Sequence, residues 1–239
     1  MGLFRLDSVD LRRQVRLGIV ILLTAVVSVL ATACSGGQAP AEATPLPQGM
    51  EFDAASRIYD LLPESTEARF LIGEILRGDP TTVVGATNQV SGQIALNPDD
   101  LSTAAVGPIR VDARTLLTDD GFRNRAIAAR ILLSGVFQYS TFTPTAINGL
   151  PDAAEIGEPV QFQIEGDLTI TEYTKPVVFD VTAVLVSDSR IEGQAAATIQ
   201  RSDFDLFVPS ATGVAGVEED VVLEIDFAAE SGSETAPAE

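Results

Sequence analysis

The chain has 239 residues, with 34 acidic and 15 basic side chains and a formal net charge of −19 at pH 7. This charge makes attraction of the whole protein to nucleic acid or anionic lipid head groups an unsuitable basis for function. Histidine is absent and Cys34 is the one cysteine, which excludes histidine-dependent catalysis, histidine zinc sites and an intramolecular disulfide.

Residues 1 to 33 have the composition of an export signal. Four arginines between Arg5 and Arg16 precede an apolar run, Leu17 to Ala33, that ends in small residues directly before Cys34. This pattern resembles a bacterial lipoprotein signal and predicts cleavage and lipidation at Cys34, hence a membrane-anchored protein of the cell envelope that faces the periplasm or the cell exterior. The alternative is an uncleaved anchor, since this uncharged run of 17 residues reaches the lower limit for a membrane-spanning helix.

The segments 34–49 and 231–239 contain mainly small, polar and proline residues. Such segments bury too little apolar surface to fold, so we predict a flexible tether from Cys34 and a disordered tail. The folded part is then a single domain over residues 50–230.

The first half of this domain has a strand pattern that glycines interrupt. Ala68, Phe70 and Ile72 alternate with polar residues, as on a sheet with one solvated face. Gly85 and Gly92 are predicted to lie at bends or bulges rather than at strand centres.

One stretch departs from the two-residue period. Residues 118–135, TDDGFRNRAIAARILLSG, begin with capping residues, continue with helix formers and end at Gly135. They predict one short helix over about residues 119–134.

The second half contains four alternating runs. Apolar residues occupy the even positions from Val160 to Ile170 and the odd positions of 177–185, 191–199 and 221–227. Lys175, the only lysine, precedes Pro176 and is predicted to lie at the rim, in the junction between a strand that ends near Thr171 and one that starts at Val177. The pattern predicts an all-β fold, an antiparallel barrel of about eight strands or a sandwich, and the barrel is preferred because closure leaves no free edge.

The inward positions of this barrel form either a filled core or a lumen for one small ligand. Small residues at 193, 195 and 197 favour free space, whereas large side chains opposite them favour a filled core. The lumen candidates are Phe70, Ile72, Phe162, Ile164, Leu168, Ile170, Phe179, Val181, Ala195, Ala197, Ile199 and Phe204.

Cationic residues are the candidates for contact with a polar head group. Arg114 and Arg123 belong to a group of five arginines between residues 110 and 130, and Lys175 is the third candidate. The alternative is that these cations pair with the surplus carboxylates or are solvated. Paired acids such as Asp99-Asp100 fit turns and caps, so no catalytic residue and no metal ligand is predicted.

Four segments in order resemble the YceI-like family of exported, lipid-binding, lipocalin-like barrels. They are VVGATNQVSGQIALNPDDL at 83–101, IRVDARTLLTDDGFRNR at 109–125, GDLTITEYTKPVVFDV at 166–181 and IQRSDFDL at 199–206. The resemblance implies an apolar lumen for a polyisoprenoid chain such as a quinone, with no enzymatic activity, cofactor or metal. The chain departs from the family pattern at Asp205, where glycine is usual, and at Ile131 and Leu132, where aromatic residues are usual.

Three functions follow as hypotheses. The first is non-enzymatic binding, carriage or sequestration of an isoprenoid-type lipid in the lumen at the cell envelope. The alternative is a structural or protein-interaction module with a filled core and an acidic binding surface. An enzyme acting on such a lipid is the third, and the absence of histidine counts against it.

Overall fold

The structure, a computed structural model, describes residues 56–232. The predicted signal peptide, the lipidation site Cys34 and the tether up to residue 49 lie outside the described residues, as do residues 233–239 of the tail. Ser231 was predicted to begin that tail, but it is the last residue of the final strand, where it pairs with Tyr59.

Within residues 56–232 the domain has thirteen strand segments and one α-helix, with short 3-10 turns between them. The strands are β1 (Arg57–Leu61), β2 (Glu67–Leu76), β3 (Asp79–Thr87), β4 (Val90–Ser91), β5 (Gln93–Leu96), β6 (Ala105–Val106), β7 (Ile109–Asp112), β8 (Tyr139–Asn148), β9 (Pro159–Ile170), β10 (Tyr173–Ser187), β11 (Arg190–Gln200), β12 (Val214–Ala215) and β13 (Asp220–Ser231). Helix α1 (Gly121–Ala126) continues as a π-helical segment (Ile127–Ile131). The helix is therefore shorter at both ends than the predicted range of 119–134.

The segments form an antiparallel barrel. The strands β7 to β11 pair in chain order, β4 pairs with β7, and β13 pairs with β11 on one edge and with both β1 and β2 on the other. Some segments are interrupted pieces of one strand: β1 and β2 form one, β3, β4 and β5 a second, and β6 and β7 a third. The ring therefore has eight strands, and β12 is a short addition to β2. The predicted lipocalin-like barrel is confirmed.

The two ends of the barrel differ in their connections. The helix end carries the long connections 113–138, which contains α1, and 201–219. In the described residues, the free edge of β3 makes one bridge, from Ala86 to Leu117, so the connection 113–138 covers the gap beside β3. The opposite end, the termini end, carries the connections 97–104 and 149–158 together with residues 56 and 232.

The alternating pattern holds where the sheet has one buried face. In β9 the even residues point inward and the odd residues are mostly exposed, and the register aligns Phe162 with Val181 and Val181 with Ala195. Apolar faces from neighbouring strands therefore meet in one core. The single-face alternation predicted from the sequence is confirmed.

Glycines on the inner face lie under phenylalanine rings. A Cβ built on Gly85 would lie 2.1 Å from the Phe70 ring, and one on Gly193 would lie 2.7 Å from the Phe227 ring. Gly85 was predicted at a bend or bulge, but it lies inside β3 in an unbroken ladder, because its missing side chain makes room for Phe70. Gly92 does interrupt a strand, between β4 and β5.

Lys175 and Pro176 lie inside a strand, not at the predicted junction. The turn is at residues 171–172, where Thr171 has a φ of 55°, and β10 begins at Tyr173. Lys175 pairs with Leu168 and Pro176 with Asp167. β11 pairs with β10 only from Asp180 onward, so Pro176 lies where the second edge of β10 needs no ladder donor.

Candidate functional site

The barrel encloses an apolar chamber at the helix end, here called chamber 1. Its volume is about 220 Å³. Strand residues form most of its wall, and Leu116, Ile127, Ile131 and Leu132 of the helix connection close one side. Most of these side chains are apolar, and burial of ligand surface against them is favourable at about 25 cal/mol per Å².

A second chamber, chamber 2, lies toward the termini end. Its volume is about 150 Å³, and all of its lining residues are apolar. Leu101, Leu150 and Ala154 from the end connections complete a wall made mainly of strand residues. An engineered cavity of about this size with an apolar lining stays dry and binds benzene, so chamber 2 suits a small hydrocarbon segment.

An aromatic pair separates the two chambers. Phe142 of β8 and Phe179 of β10 line both chambers, as do Ile109 and Ile225. The two rings meet edge to face, with centroids 4.9 Å apart and an interplanar angle of 67°. The ring of Phe142 also lies over Gly166, whose hypothetical Cβ would be 2.6 Å from the ring. This aromatic pair therefore forms the partition between the two chambers.

The predicted lumen residues divide between the chambers. Chamber 1 is lined by Phe70, Ile72, Leu168, Ile170 and Ile199, and chamber 2 by Phe162, Ile164, Val181 and Ala195. Phe179 lines both chambers. Ala197 and Phe204 line neither chamber and pack in the surrounding core, where Phe204 is 1% exposed.

The sequence reasoning missed several lining residues. Phe142 and Ile109 lie at the centre of the lumen, and Ile127 and Ile131 form the inner face of the helix. The spacing of four residues between the two isoleucines was a usable signal for that face. The apolar face of 221–227 was recognised but not assigned to the lumen, although Val221, Leu223 and Ile225 line chamber 1.

Chamber 1 contains a buried ion pair in its wall. Arg123 donates from Nη2 to Oε1 of Glu74 at 3.2 Å and from Nη1 to Oδ1 of Asp119 at 2.5 Å. Glu74 is buried, and both Glu74 and Arg123 line the chamber. Arg201 also lines it and donates to the carbonyl of Leu206. Chamber 1 therefore offers hydrogen-bonding groups that chamber 2 lacks.

The other two head-group candidates lie elsewhere. Arg114 does not line either chamber and donates from Nε and Nη2 to both carboxylate oxygens of Asp112, at 2.8 and 2.6 Å. Burial raises the pKa of Asp112, but hydrogen bonds from the Arg114 side chain and backbone outweigh this and hold that pKa below its usual range. Lys175 is exposed near the rim of the helix end and lines neither chamber.

The described part of the chain has no group of three or more acidic or thiol side chains placed to hold a metal ion. Within residues 56–232, no helix combines the length and apolar character needed to cross a membrane. Asp100 accepts a hydrogen bond from the backbone of Ser102, and Asp120 caps the first turn of α1, which are the structural roles expected of paired acids.

Comparison with known proteins identifies the domain. A family model for the YceI-like domain matches residues 59–229. No curated protein sequence matches the chain.

Solved structures show the same fold at low sequence identity. A polyisoprenoid binding domain from Saccharophagus degradans, implicated in plant cell wall breakdown, superposes with a TM-score of 0.57 at 14% identity, over 73% of this chain and 98% of that one. BcnA from Burkholderia cenocepacia has a TM-score of 0.55 at 18% identity, over 70% of this chain and 98% of that one. The YCEI protein of Campylobacter jejuni has a TM-score of 0.50 at 18% identity, over 60% and 82%.

Proposed function

The chain belongs to the YceI-like domain family, and from that membership and its divided apolar lumen we propose that it binds an isoprenoid-type lipid without chemical turnover. The observation that carries the proposal is the pair of chambers around Phe142 and Phe179. A relative with this fold is described as a polyisoprenoid binding domain, which gives independent support.

The chamber sizes indicate how a long chain binds. Neither chamber alone reaches the roughly 300 Å³ at which pockets accept drug-sized ligands. A polyprenyl chain must therefore occupy both chambers and pass the Phe142–Phe179 pair, whose edge-to-face contact is worth only about 0.5–1.5 kcal/mol. Rotation of these rings costs little compared with the burial of several isoprene units.

The difference in lining assigns an orientation to the ligand. Chamber 2 is entirely apolar, so it receives the end of the hydrocarbon chain. Chamber 1 contains Arg123 and Arg201, which donate hydrogen bonds to a polar end such as a quinone carbonyl. The polar end of the lipid therefore lies at the helix end of the barrel.

The alternative, a protein-interaction module with a filled core, has less support. Two chambers with apolar walls are not expected of a barrel whose interior is only a packed core. The paired acids considered from the sequence have structural partners, since Asp100 and Asp120 hold the backbone and Asp119 pairs with Arg123, which supports binding rather than catalysis.

The cellular setting of the proposal rests on the sequence alone. An export signal before Cys34 and lipidation of that residue would place the barrel at the cell envelope, on a membrane that contains isoprenoid lipids. Two or more acyl chains are needed for a stable anchor, since one chain binds a membrane only marginally. In this setting the barrel carries or sequesters the lipid beside its source.

The test is extraction of the natively purified protein with organic solvent, followed by mass spectrometry. We expect a prenylated lipid at close to one molecule per protein, and rebinding of a prenylated quinone to the extracted protein. A matched preparation of Phe179→Trp, which adds volume at the partition, should carry less lipid. Extracts without lipid, together with no rebinding by the refolded wild type, would contradict the proposal.

A further inference from the structure

The helix end of the barrel exposes an unusual set of apolar side chains. Leu117 is 61% exposed, Phe122 79%, Val136 77% and Phe207 70%. These four are the only large hydrophobic residues in the described chain that are more than 60% exposed, and all of them lie in the connections 113–138 and 201–219. Exposed apolar side chains gathered at one end of a protein mark a contact surface.

These side chains adjoin the wall of chamber 1. Three of the four are next in sequence to a residue that lines the chamber. Leu117 follows Leu116 and Phe122 precedes Arg123. Phe207 lies between the lining residues Leu206 and Val208. The outer surface and the chamber are thus the two sides of the same segments. A partner on this surface lies directly over chamber 1.

The two connections at this end differ in charge. The connection 113–138, which contributes Leu117, Phe122 and Val136, carries four arginines and two aspartates, a net charge of +2 in a chain of −19, whereas the connection 201–219 carries one arginine and four acids, a net charge of −3. Arg125 lies 4.4 Å from the centre of the exposed Phe122 ring. Arg77, Arg125, Arg130 and Lys175 are all exposed at this end, and none of them forms an ion pair within residues 56–232.

Both carboxylates of the connection 113–138 are occupied, and so are two of the other carboxylates at this end. Asp119 pairs with Arg123, Asp120 caps the helix, Glu219 pairs with Arg201, and Asp205 accepts a hydrogen bond from Tyr173. Exposed Phe, Leu and Val beside free arginines are the composition of interfacial segments that lie in a lipid surface, with apolar side chains among the acyl chains and cations at the phosphates.

We propose that the helix end of the barrel docks on a phospholipid surface through Leu117, Phe122, Val136 and Phe207, with Arg125 and Arg130 at the lipid phosphates. Docking places chamber 1 against the bilayer, so that an isoprenoid lipid passes between membrane and lumen without crossing water. The net charge of −19 does not prevent this contact, because charges more than about 8 Å away are largely screened at physiological ionic strength. The inference deepens the proposed function and rests on it.

The geometry of the chain permits this orientation together with an anchor at Cys34. Residue 56 lies at the termini end, and 21 residues separate it from Cys34. Fully extended, 21 residues reach about 70 Å, whereas a 12-residue strand spans about 40 Å. The link is therefore long enough for the helix end to face the membrane that holds the anchor.

The absence of tryptophan from the chain permits a clean test. Phe122→Trp places a single reporter on the proposed surface, and Ile156→Trp, at a residue 58% exposed at the termini end, is the matched control. Each full-length variant is reconstituted in vesicles of phosphatidylcholine and phosphatidylglycerol with brominated acyl chains. We expect strong quenching and a blue-shifted emission for Phe122→Trp and neither for Ile156→Trp.

A charge-reversal variant tests the role of the arginines. Adding Arg125→Glu and Arg130→Glu to Phe122→Trp should shift the docking equilibrium at least about 25-fold toward the undocked state, at about fivefold for each cation lost, and further because the lipid phosphates repel the two new carboxylates. Circular dichroism checks that each variant is folded, and Val136→Trp replaces Phe122→Trp if the latter is not.

The outcomes separate this inference from the proposed function. Equal quenching at both reporters, or none at either in a protein that still rebinds prenylated quinone, overturns docking and leaves lipid binding standing. Quenching confined to Phe122→Trp in a protein that never binds lipid supports docking and overturns the proposed function. An unquenched surface that instead retains a protein would also overturn the docking proposal.

Discussion

Arg114 and Arg123 have similar sequence neighbourhoods and different structural environments. Arg123 lines chamber 1 and neutralises the buried Glu74, whereas Arg114 is held by Asp112 and reaches neither chamber. The arginine group in the sequence therefore has two functions: part of it satisfies carboxylates, and one member lies where a ligand's polar end is proposed to bind. The pairing with carboxylates that the sequence offered as the alternative is found for both arginines, and Arg123 in addition lines the chamber.

The two residues make a matched pair of variants. Arg123→Gln should lower the free energy of unfolding by about 2–3 kcal/mol, because Glu74 loses a cation in a buried site. It should also weaken binding of a short-chain prenylated quinone about tenfold, the value of one charge-assisted hydrogen bond. Isothermal titration and denaturant melts measure both. Equal affinities for Arg123→Gln and wild type would contradict the head-group assignment.

Arg114→Gln is the control, and its effect should be confined to stability. The lowered pKa of Asp112 means that the folded state holds its charged form more tightly than the unfolded state does. That contribution is present above the ordinary carboxyl pKa of about 4 and is lost as the pH falls through the lower folded-state value. Arg114→Gln should therefore destabilise the protein at pH 7 and much less at strongly acidic pH, with quinone affinity unchanged at pH 7.

At the scale of elements, the Phe142–Phe179 pair joins β8 and β10, the two strands that flank β9. Phe179→Ala should merge the two chambers and lower the free energy of unfolding by about 3–5 kcal/mol. It should also improve the affinity for a long polyprenyl chain relative to that for a single isoprene unit, because the long chain no longer has to displace the ring contact. Competition between chains of different length measures the ratio.

Phe162→Ala is the matched control for the partition. Phe162 lines chamber 2 alone, so its truncation enlarges one chamber and leaves the aromatic pair in place. We expect a comparable loss of stability without the shift in preference toward longer chains. If both variants change the length preference equally, the partition does not control it.

The elements show which parts of the fold a sequence specifies. The alternating faces of β9, β10 and β11 were predictable because the burial of most of their residues follows their parity on a sheet with one wet face. In β13 the sequence alternates, but residues 222–227 are all partly buried. The start of β10 was misplaced because Lys175-Pro176 has the chemistry of a junction. Pro176 is tolerated inside the strand only because β11 does not pair with β10 at that position. This depends on the tertiary structure and is not visible in the local sequence.

The site was less predictable than the fold for a physical reason. A lumen wall and a packed core select the same apolar residues, so no local signal separates Phe179 at the partition from Phe204 in the core. Gly85 lies under the ring of Phe70, a residue of the neighbouring strand. Rules for turn residues do not take such a contact between strands into account. The chambers lie where inward side chains from different strands leave space between them. Which side chains face each other depends on the register of the strands, which the sequence does not show.

At the scale of the whole molecule, the barrel and its lumen are coupled through the ring of strands. β13 closes the ring against β1 and β2, and its residues Val221, Leu223 and Ile225 line chamber 1. A chain in the lumen contacts strands on all sides at once, so its binding stabilises the closed ring as a unit. In the proposed complex the lipid is therefore part of the hydrophobic core.

This coupling predicts a large effect of lipid on thermal stability. A ligand present at 100 times its dissociation constant stabilises the folded state by about 2.7 kcal/mol, and in a domain of this size each kcal/mol shifts the Tm by about 2–4 °C. Extraction of the lipid should therefore lower the Tm by roughly 5–10 °C, and added prenylated quinone should restore it with a dependence on concentration. A short alcohol without a prenyl chain is the control and should restore little, because it fills one chamber at most. A Tm that neither extraction nor added quinone changes would mean that the chambers are packing voids. In that case the stability of the ring comes from its strands alone.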